Sequence, residues 1–240
     1  MLQRYCRDMG RFVCQSNRSF MPVHRSTLQF LRQLEKNNNR EWFQSNRKAY
    51  ETARVNVLEV IAAVLDGMSA FDPGLAAVEP ASTLFRINRD VRFSNDKSPY
   101  KTNFGAVLSS GGKKSPQAGY YLHLEAGSNS IAGGGVWMPD KDRLAAIRQE
   151  IDYNLKEFES ILSAKNFKKY FGELSDEKLK TRPKGYAADH PGLEHLKQKS
   201  YVAFRGFSEA ELQDKKFEKE VVRTMEALLP LNEFLNRAMD

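Results

Sequence analysis

Hydrophobic positions recur at helical spacing in two long stretches of the chain. Trp42, Ala49, Ala53, Val57, Val60, Ile61, Val64 and Met68 fall three to four apart or at multiples of that spacing, which predicts a helix over 39–67. Leu144, Ile147, Ile151, Leu155, Phe158 and Leu162 do the same behind Asp140, a good N-cap residue, and predict a second helix over 140–163. A shorter helix with Leu28, Leu31 and Leu34 on one face is expected to open at a Ser26–Gln29 capping box and to stop at Asn37–Asn39. Asn38 with Glu41 then caps the next helix. Ser208 and Glu211 form a further capping box, opening a C-terminal helix that Pro230 is expected to kink or divide.

Between the two long helices the period changes from helical to two. Residues 83–93, 103–109, 118–126 and 129–137 read as successive strands, and strands without intervening helices indicate an antiparallel sheet. Glycines 133–135 are unusual in a strand and suggest a bulge, close packing, or a ligand lying against bare backbone. Residues 173–205 carry Pro183, Gly185, Pro191 and Gly192 and read as a long irregular segment, ordered by Tyr186, Leu193, Leu196, Tyr201 and Phe204. Each long helix has one apolar stripe to bury. The expected fold class is therefore α+β: an antiparallel β-sheet packed by long helices mainly on one face, in a single domain over 26–240.

The chemistry concentrates in residues 85–104, FRINRDVRFSNDKSPYKTNF. Phe85, Ile87, Val91 and Phe93 share one parity, and Arg86, Asn88, Asp90 and Arg92 the other. Arg89 falls on the apolar parity, where an unpaired charge is costly. It needs a turn toward solvent, a carboxylate or an anionic ligand. Arg86 and Asp90 stand four apart, roughly 13 Å along a regular strand, so they cannot pair with each other there. Arg86, Arg89, Arg92, Lys97, Tyr100 and Lys101 are the candidate anion-binding residues, because guanidinium forks match phosphate and carboxylate geometry. Asp90, Asp96 and His123 are the candidate acids, bases or metal ligands; His123 shares a strand face with Tyr121 and Glu125.

The order Arg86-x-x-Arg89-Asp90-x-Arg92-Phe93 followed by Asp96-Lys97-x-x-Tyr100-Lys101 resembles the signature of the domain of unknown function 2461 family of bacteria and fungi. NNNREWF (37–43), GYYLH (119–123), GGGVWMPD (133–140) and the RPKGY…DHP stretch (182–191) match the same pattern, which spans roughly 26–238. The resemblance brings no chemistry with it.

Charge changes this picture little. Of the formal +7, four units fall in residues 1–25, where five arginines face Asp8 alone, so a general polyanion-binding surface is poorly supported. That stretch is expected to be a disordered extension, or to lie upstream of a start at Met21; its arginines and scarce acids faintly resemble a mitochondrial presequence. Cys6 and Cys14 make neither a disulfide framework nor a metal site, which points to a reducing, cytoplasmic setting. No apolar run approaches the roughly 18 residues needed to span a bilayer, so no membrane partner is expected. Phosphate-loop, dinucleotide, zinc-protease and serine-hydrolase motifs are absent, and His24, His123, His190 and His195 lack metal spacing; no cofactor is implied.

The favoured expectation is a site for a phosphorylated or otherwise anionic small molecule, with hydrolytic or transfer activity as an extension of it. The alternatives are a nucleic-acid surface using the same basic strand, with Phe93, Tyr100, Tyr120 and Tyr121 for base stacking, and a partner-binding module without a small-molecule site. The polar sheet face should be concave and partly roofed by the 182–201 segment through Lys184, Tyr186 and His190.

Overall fold

The computed structural model describes residues 21–239; the expectations for residues 1–20, Cys6 and Cys14 included, lie outside the described residues. Residues 21–25, set aside with that extension, are part of the fold. Val23 is buried, and its N–H donates to the Leu212 carbonyl at 2.8 Å.

Helix α1 (Arg25–Lys36) begins two residues earlier than a Ser26 cap would place it, and its N-terminal end has no side-chain cap of its own. Asn56 takes that part instead: its Oδ1 accepts from the His24 N–H at 2.8 Å and from the Thr27 hydroxyl at 2.9 Å. The asparagines 37–39 divide the corner among them. Asn37 donates to the Gln33 carbonyl, Asn38 reaches Tyr100, and Asn39, rather than Asn38, caps α2 (Arg40–Ser45) by accepting from Trp42 N. The long helix expected over 39–67 is broken at Asn46, whose side chain donates to the Trp42 carbonyl, and resumes as α3 (Arg47–Met68). A short α4 (Pro80–Thr83) leads into the basic segment.

The sheet has four antiparallel strands in chain order: β1 (Asn103–Leu108), β2 (Gly119–Glu125), β3 (Ser130–Val136) and β4 (Tyr201–Phe207). Two corrections follow. Residues 83–93 are not a strand: only the bridges Leu84–Ala106 and Asn88–Tyr100 tie them in, because the 89–99 portion is consumed by a turn rich in Asp, Asn, Ser and Pro. The fourth strand lies inside the segment expected to be irregular. Tyr201, Val202 and Ala203 are all buried, so β4 never shows the alternation that would mark a one-sided strand.

Helix α5 (Lys141–Tyr153), capped by Asp140 as expected, breaks from α6 (Leu155–Ser163) at Asn154. Helices α7 (Lys165–Tyr170) and α8 (Leu193–Leu196) precede β4; α9 (Glu209–Gln213) carries the Ser208–Glu211 capping box. Helix α10 (Phe217–Arg237) runs through Pro230 undivided. Phe104, Ala106, Leu108, Tyr120, Leu122, Leu124, Ala132 and Tyr201 are the sheet's buried face, and α3 and α10 pack on it against β1 and β3. The helices thus cover one face, as a sheet with one apolar side requires. Among the described residues no helix is long and apolar enough to cross a membrane.

Candidate functional site

The open face of the sheet is built by parity. In β2, Leu122 and Leu124 point to the helices, which leaves Tyr121, His123 and Glu125 in a row on the other side. Two of them have a glycine for one cross-strand neighbour: His123 faces Gly105 of β1, and Tyr121 faces Gly133 of β3. A Cβ at Gly105 would stand 2.7 Å from the Tyr121 hydroxyl, so the missing side chain is what lets that ring lie across β1.

The row is a connected chain. Glu125 Oε2 is 3.1 Å from His123 Nε2, and the Tyr121 hydroxyl is 3.2 Å from His123 Nδ1. A carboxylate can only accept, so Nε2 carries a proton; in the neutral tautomer Nδ1 then offers its lone pair to the Tyr121 O–H. Burial raises the Tyr121 pKa, which keeps the phenol protonated and able to donate. The arrangement resembles the orienting logic of a nucleophile–base–carboxylate triad, with a phenol at its end.

The basic segment leans over this row as a broad excursion from the edge of β1. Phe85 N donates to the Gly105 carbonyl, Lys101 N to Ile87, and Arg89 N to Pro99, at 2.8–2.9 Å. Between this arm and β2 lies a cleft of about 430 Å³ lined by Phe85, Arg89, Asp90, Lys101, Tyr121 and His123, among others. Three of the sequence's candidates, Arg89, Asp90 and Lys101, thus meet the fourth, His123, in one place.

The charges around the cleft are unequal. Arg89 pairs with Asp96, one of the partners that its apolar parity left open. Ser98, through its hydroxyl and its N–H, and then Arg89 hold the Asp96 carboxyl well below the usual range. Arg92 grips Asp90 in a bidentate pair at 2.6 and 3.0 Å and lowers its pKa. Both carboxylates are therefore fixed charges near neutrality rather than proton carriers. Lys97 donates to the Val91 carbonyl at the turn.

Arg86, Lys101 and Lys113 differ: none forms an ion pair among the described residues. The Lys101 and Lys113 ammonium groups sit 5.1 and 5.7 Å from the centre of the Phe85 ring. Burial, and then Arg86 and Lys113, lower the Lys101 pKa.

Other candidates are placed elsewhere. Tyr100 is a core residue, 5 % exposed and stacked on Phe43 with ring centres 3.9 Å apart, so it offers nothing to an anion. The expected roof is absent from the cleft walls. His190 instead donates from Nε2 to Asp152 of α5 at 2.8 Å while its Nδ1 accepts from Gly192 N. Lys184 and Tyr186 line a separate hollow of about 460 Å³ beside Arg182. Arg148 of α5 binds the carbonyls of Leu196 and Gln198, which draws the whole segment toward that helix. Among the described residues no group of three His, Cys, Asp or Glu could hold a metal ion.

Lys113, Phe85 and Glu125 join the site beyond the residues that the sequence singles out. Glu125 was visible by parity with His123; Lys113, in a Gly-Gly-Lys-Lys turn, carried no signal beyond its charge.

These features define a class: an α+β domain whose four-stranded antiparallel sheet is helix-covered on one side and bears a polar cleft on the other. The chain matches the family model "Conserved hypothetical protein (DUF2461)" over residues 26–234 and belongs to that family. No curated protein and no solved structure matches it.

Proposed function

We propose that the open sheet face binds a small anion, a phosphate ester or a carboxylate, with its charged group between Lys101, Arg86 and Lys113. The observation that carries this is the cation group itself. Lys101 lines the cleft without an ion-pair partner among the described residues, Lys113 shares the Phe85 ring with it, Arg86 adds to the positive field there, and Lys101 bears a desolvation cost that an anion would offset. Natural folds retain such unfavourable clusters mainly where a ligand completes them.

Beside that position the Tyr121–His123–Glu125 chain supports acid–base chemistry on the bound molecule. His123, oriented by Glu125, would take the Tyr121 proton on Nδ1 as the Tyr121 oxygen takes a proton from the bound molecule. Polynucleotide binding draws less support, because Arg89 and Arg92 are each neutralised by an aspartate and Tyr100 and Tyr120 are buried, which withdraws them from base stacking.

Thermal-shift screening with inorganic phosphate, nucleotides and sugar phosphates tests the proposal. The expected result is a stabilising anion whose effect disappears in the Arg86→Ala, Lys101→Ala double variant. A screen in which no anion moves the wild-type midpoint overturns it.

A further inference from the structure

The anion cleft does not end at Tyr121. A second cleft, of about 560 Å³, continues across the same face of the sheet and shares Phe85 and Tyr121 as walls. Its character is different: Val107, Ile131, Val136, Trp137, Val202 and Phe204 make its sides apolar. Its floor is bare main chain at Gly134 and Gly135, with φ of +156° and +117°. A Cβ at either would stand 2.0 Å from a carbonyl oxygen of the neighbouring strand, Gly119 or Tyr201, so no side chain can rise there.

The far rim is held open at a conformational cost. Trp137 and Met138 are 57 % and 68 % exposed, and Met138 has φ +43°, a conformation that few unbranched residues adopt. The Met138 N–H is pinned at 2.9 Å by the hydroxyl of Ser200, which is fully buried. The backbone that carries two large, exposed apolar side chains is thereby held at the edge of an apolar trough that they line. Lys113 lines this trough while Lys101 lines the polar cleft, and both ammonium groups lie over the one Phe85 ring. The cations therefore stand at the junction of the two.

Resting on the anion-site reading above, we infer that the ligand is amphipathic: an anionic head at Phe85, Lys101 and Lys113, and an apolar chain or ring along the trough toward Trp137 and Met138. A compact, highly polar anion would leave the trough unused. The occupant is a monomeric alkyl or aryl phosphate or carboxylate, its head matched to the cations and its body to the apolar walls.

Trp137 reports on the trough. In a Trp42→Phe background it is the remaining tryptophan, and a chain laid against it shifts its emission to shorter wavelength. The probes are octyl phosphate, inorganic phosphate and octanol, with calorimetry on the wild-type protein in parallel. Octyl phosphate is expected to bind at least about tenfold more tightly than inorganic phosphate, since burying even a few methylenes supplies that factor, and to shift Trp137. Met138→Glu should remove the advantage of the chain while leaving inorganic phosphate binding intact. Lys101→Ala should remove the preference for octyl phosphate over octanol. If inorganic phosphate binds through Lys101 but octyl phosphate binds no better, the amphipathic ligand is refuted and the anion site stands. If neither phosphate binds, both ideas fall.

Discussion

Asn38 brackets Tyr100 across 62 positions of sequence: its amide N–H donates to the Tyr100 carbonyl at 2.9 Å, and its Oδ1 accepts from the Tyr100 N–H at 3.1 Å. A side chain here stands in for a neighbouring strand, and it anchors the arm that forms one wall of the anion cleft to the α1–α2 corner. Asn38→Ala leaves two main-chain groups of a buried residue without partners, at an expected cost of about 1–3 kcal/mol. Urea unfolding should show a lower midpoint with an unchanged slope, and limited proteolysis should open the 85–101 arm first. A stability equal to wild type would mean that water replaces the amide without loss.

Gly134→Ala should be far worse. The alanine would need φ near +156°, and its Cβ would stand 2.0 Å from the Gly119 carbonyl oxygen. A backbone atom cannot swing aside as a side chain can, so a loss of several kcal/mol is expected, on the order of the largest single-site effects. Poor soluble yield or a strongly lowered melting temperature would agree. A well-folded variant with wild-type stability would show that β2 and β3 can separate locally.

The contrast between these sites and the strands shows what the sequence could convey. Strands β1, β2 and β3 were legible to within a residue or two because one face is buried and the other wet, which imprints alternation: Tyr120, Leu122 and Leu124 inside, Tyr121, His123 and Glu125 outside. Strand β4 was not, since Val202 on the cleft side is buried along with Tyr201 and Ala203 on the helix side. The alternation of 85–93 was real but reported an arm held by scattered bonds, a difference that depends on Asn38 and so on a contact remote in sequence. Arg89's anomalous parity asked for a turn outward, a carboxylate or an anion without choosing among them, and Asp96 fills that part only through the turn, while Lys113 and Phe85 joined the site only through tertiary geometry. The helix breaks at Asn46 and Asn154 lay within unbroken hydrophobic periodicity, where that pattern alone has no voice.

Gly105→Ala separates the proton chain from the fold. The new methyl would press on the Tyr121 hydroxyl at 2.7 Å, the far end of a side chain that can rotate away. Stability should fall by no more than about 1–2 kcal/mol, while the Tyr121–His123 hydrogen bond is lost. Nitrogen-15 chemical shifts of His123 should then change at Nδ1, with Nε2 still protonated against Glu125. Unchanged imidazole shifts would place the Tyr121 hydroxyl outside the chain.

Removing a cation should trade binding for stability. Lys101 is desolvated and crowded by Arg86 and Lys113, so Lys101→Met, which retains much of the apolar stem over Phe85, is expected to raise the melting temperature of the ligand-free protein. The same variant should lose the thermal shift produced by phosphate esters. A lowered melting temperature would show that the ammonium–ring contact outweighs the repulsion.

The depressed pKa of Lys101 also fixes a pH dependence. Its folded value lies below the ordinary lysine value of 10.5, so between the two the unfolded chain binds more protons than the native one. Stability of the free protein should therefore rise with pH through that window as the strained charge is released. Anion affinity moves in the opposite direction: a phosphate ester is fully ionised well above its second pKa of about 6, so any further loss of affinity reports the protein. Affinity should be greatest while Lys101 is protonated and should fall as pH rises through its lowered pKa. Asp90, which shares the cleft, is already ionised throughout this range and cannot produce the fall. In Lys101→Arg the guanidinium stays charged, so that decline should be largely abolished. Calorimetric titration at several values up to about pH 10 makes the comparison. Parallel losses in wild type and Lys101→Arg would assign the effect to another group and remove Lys101 from the site.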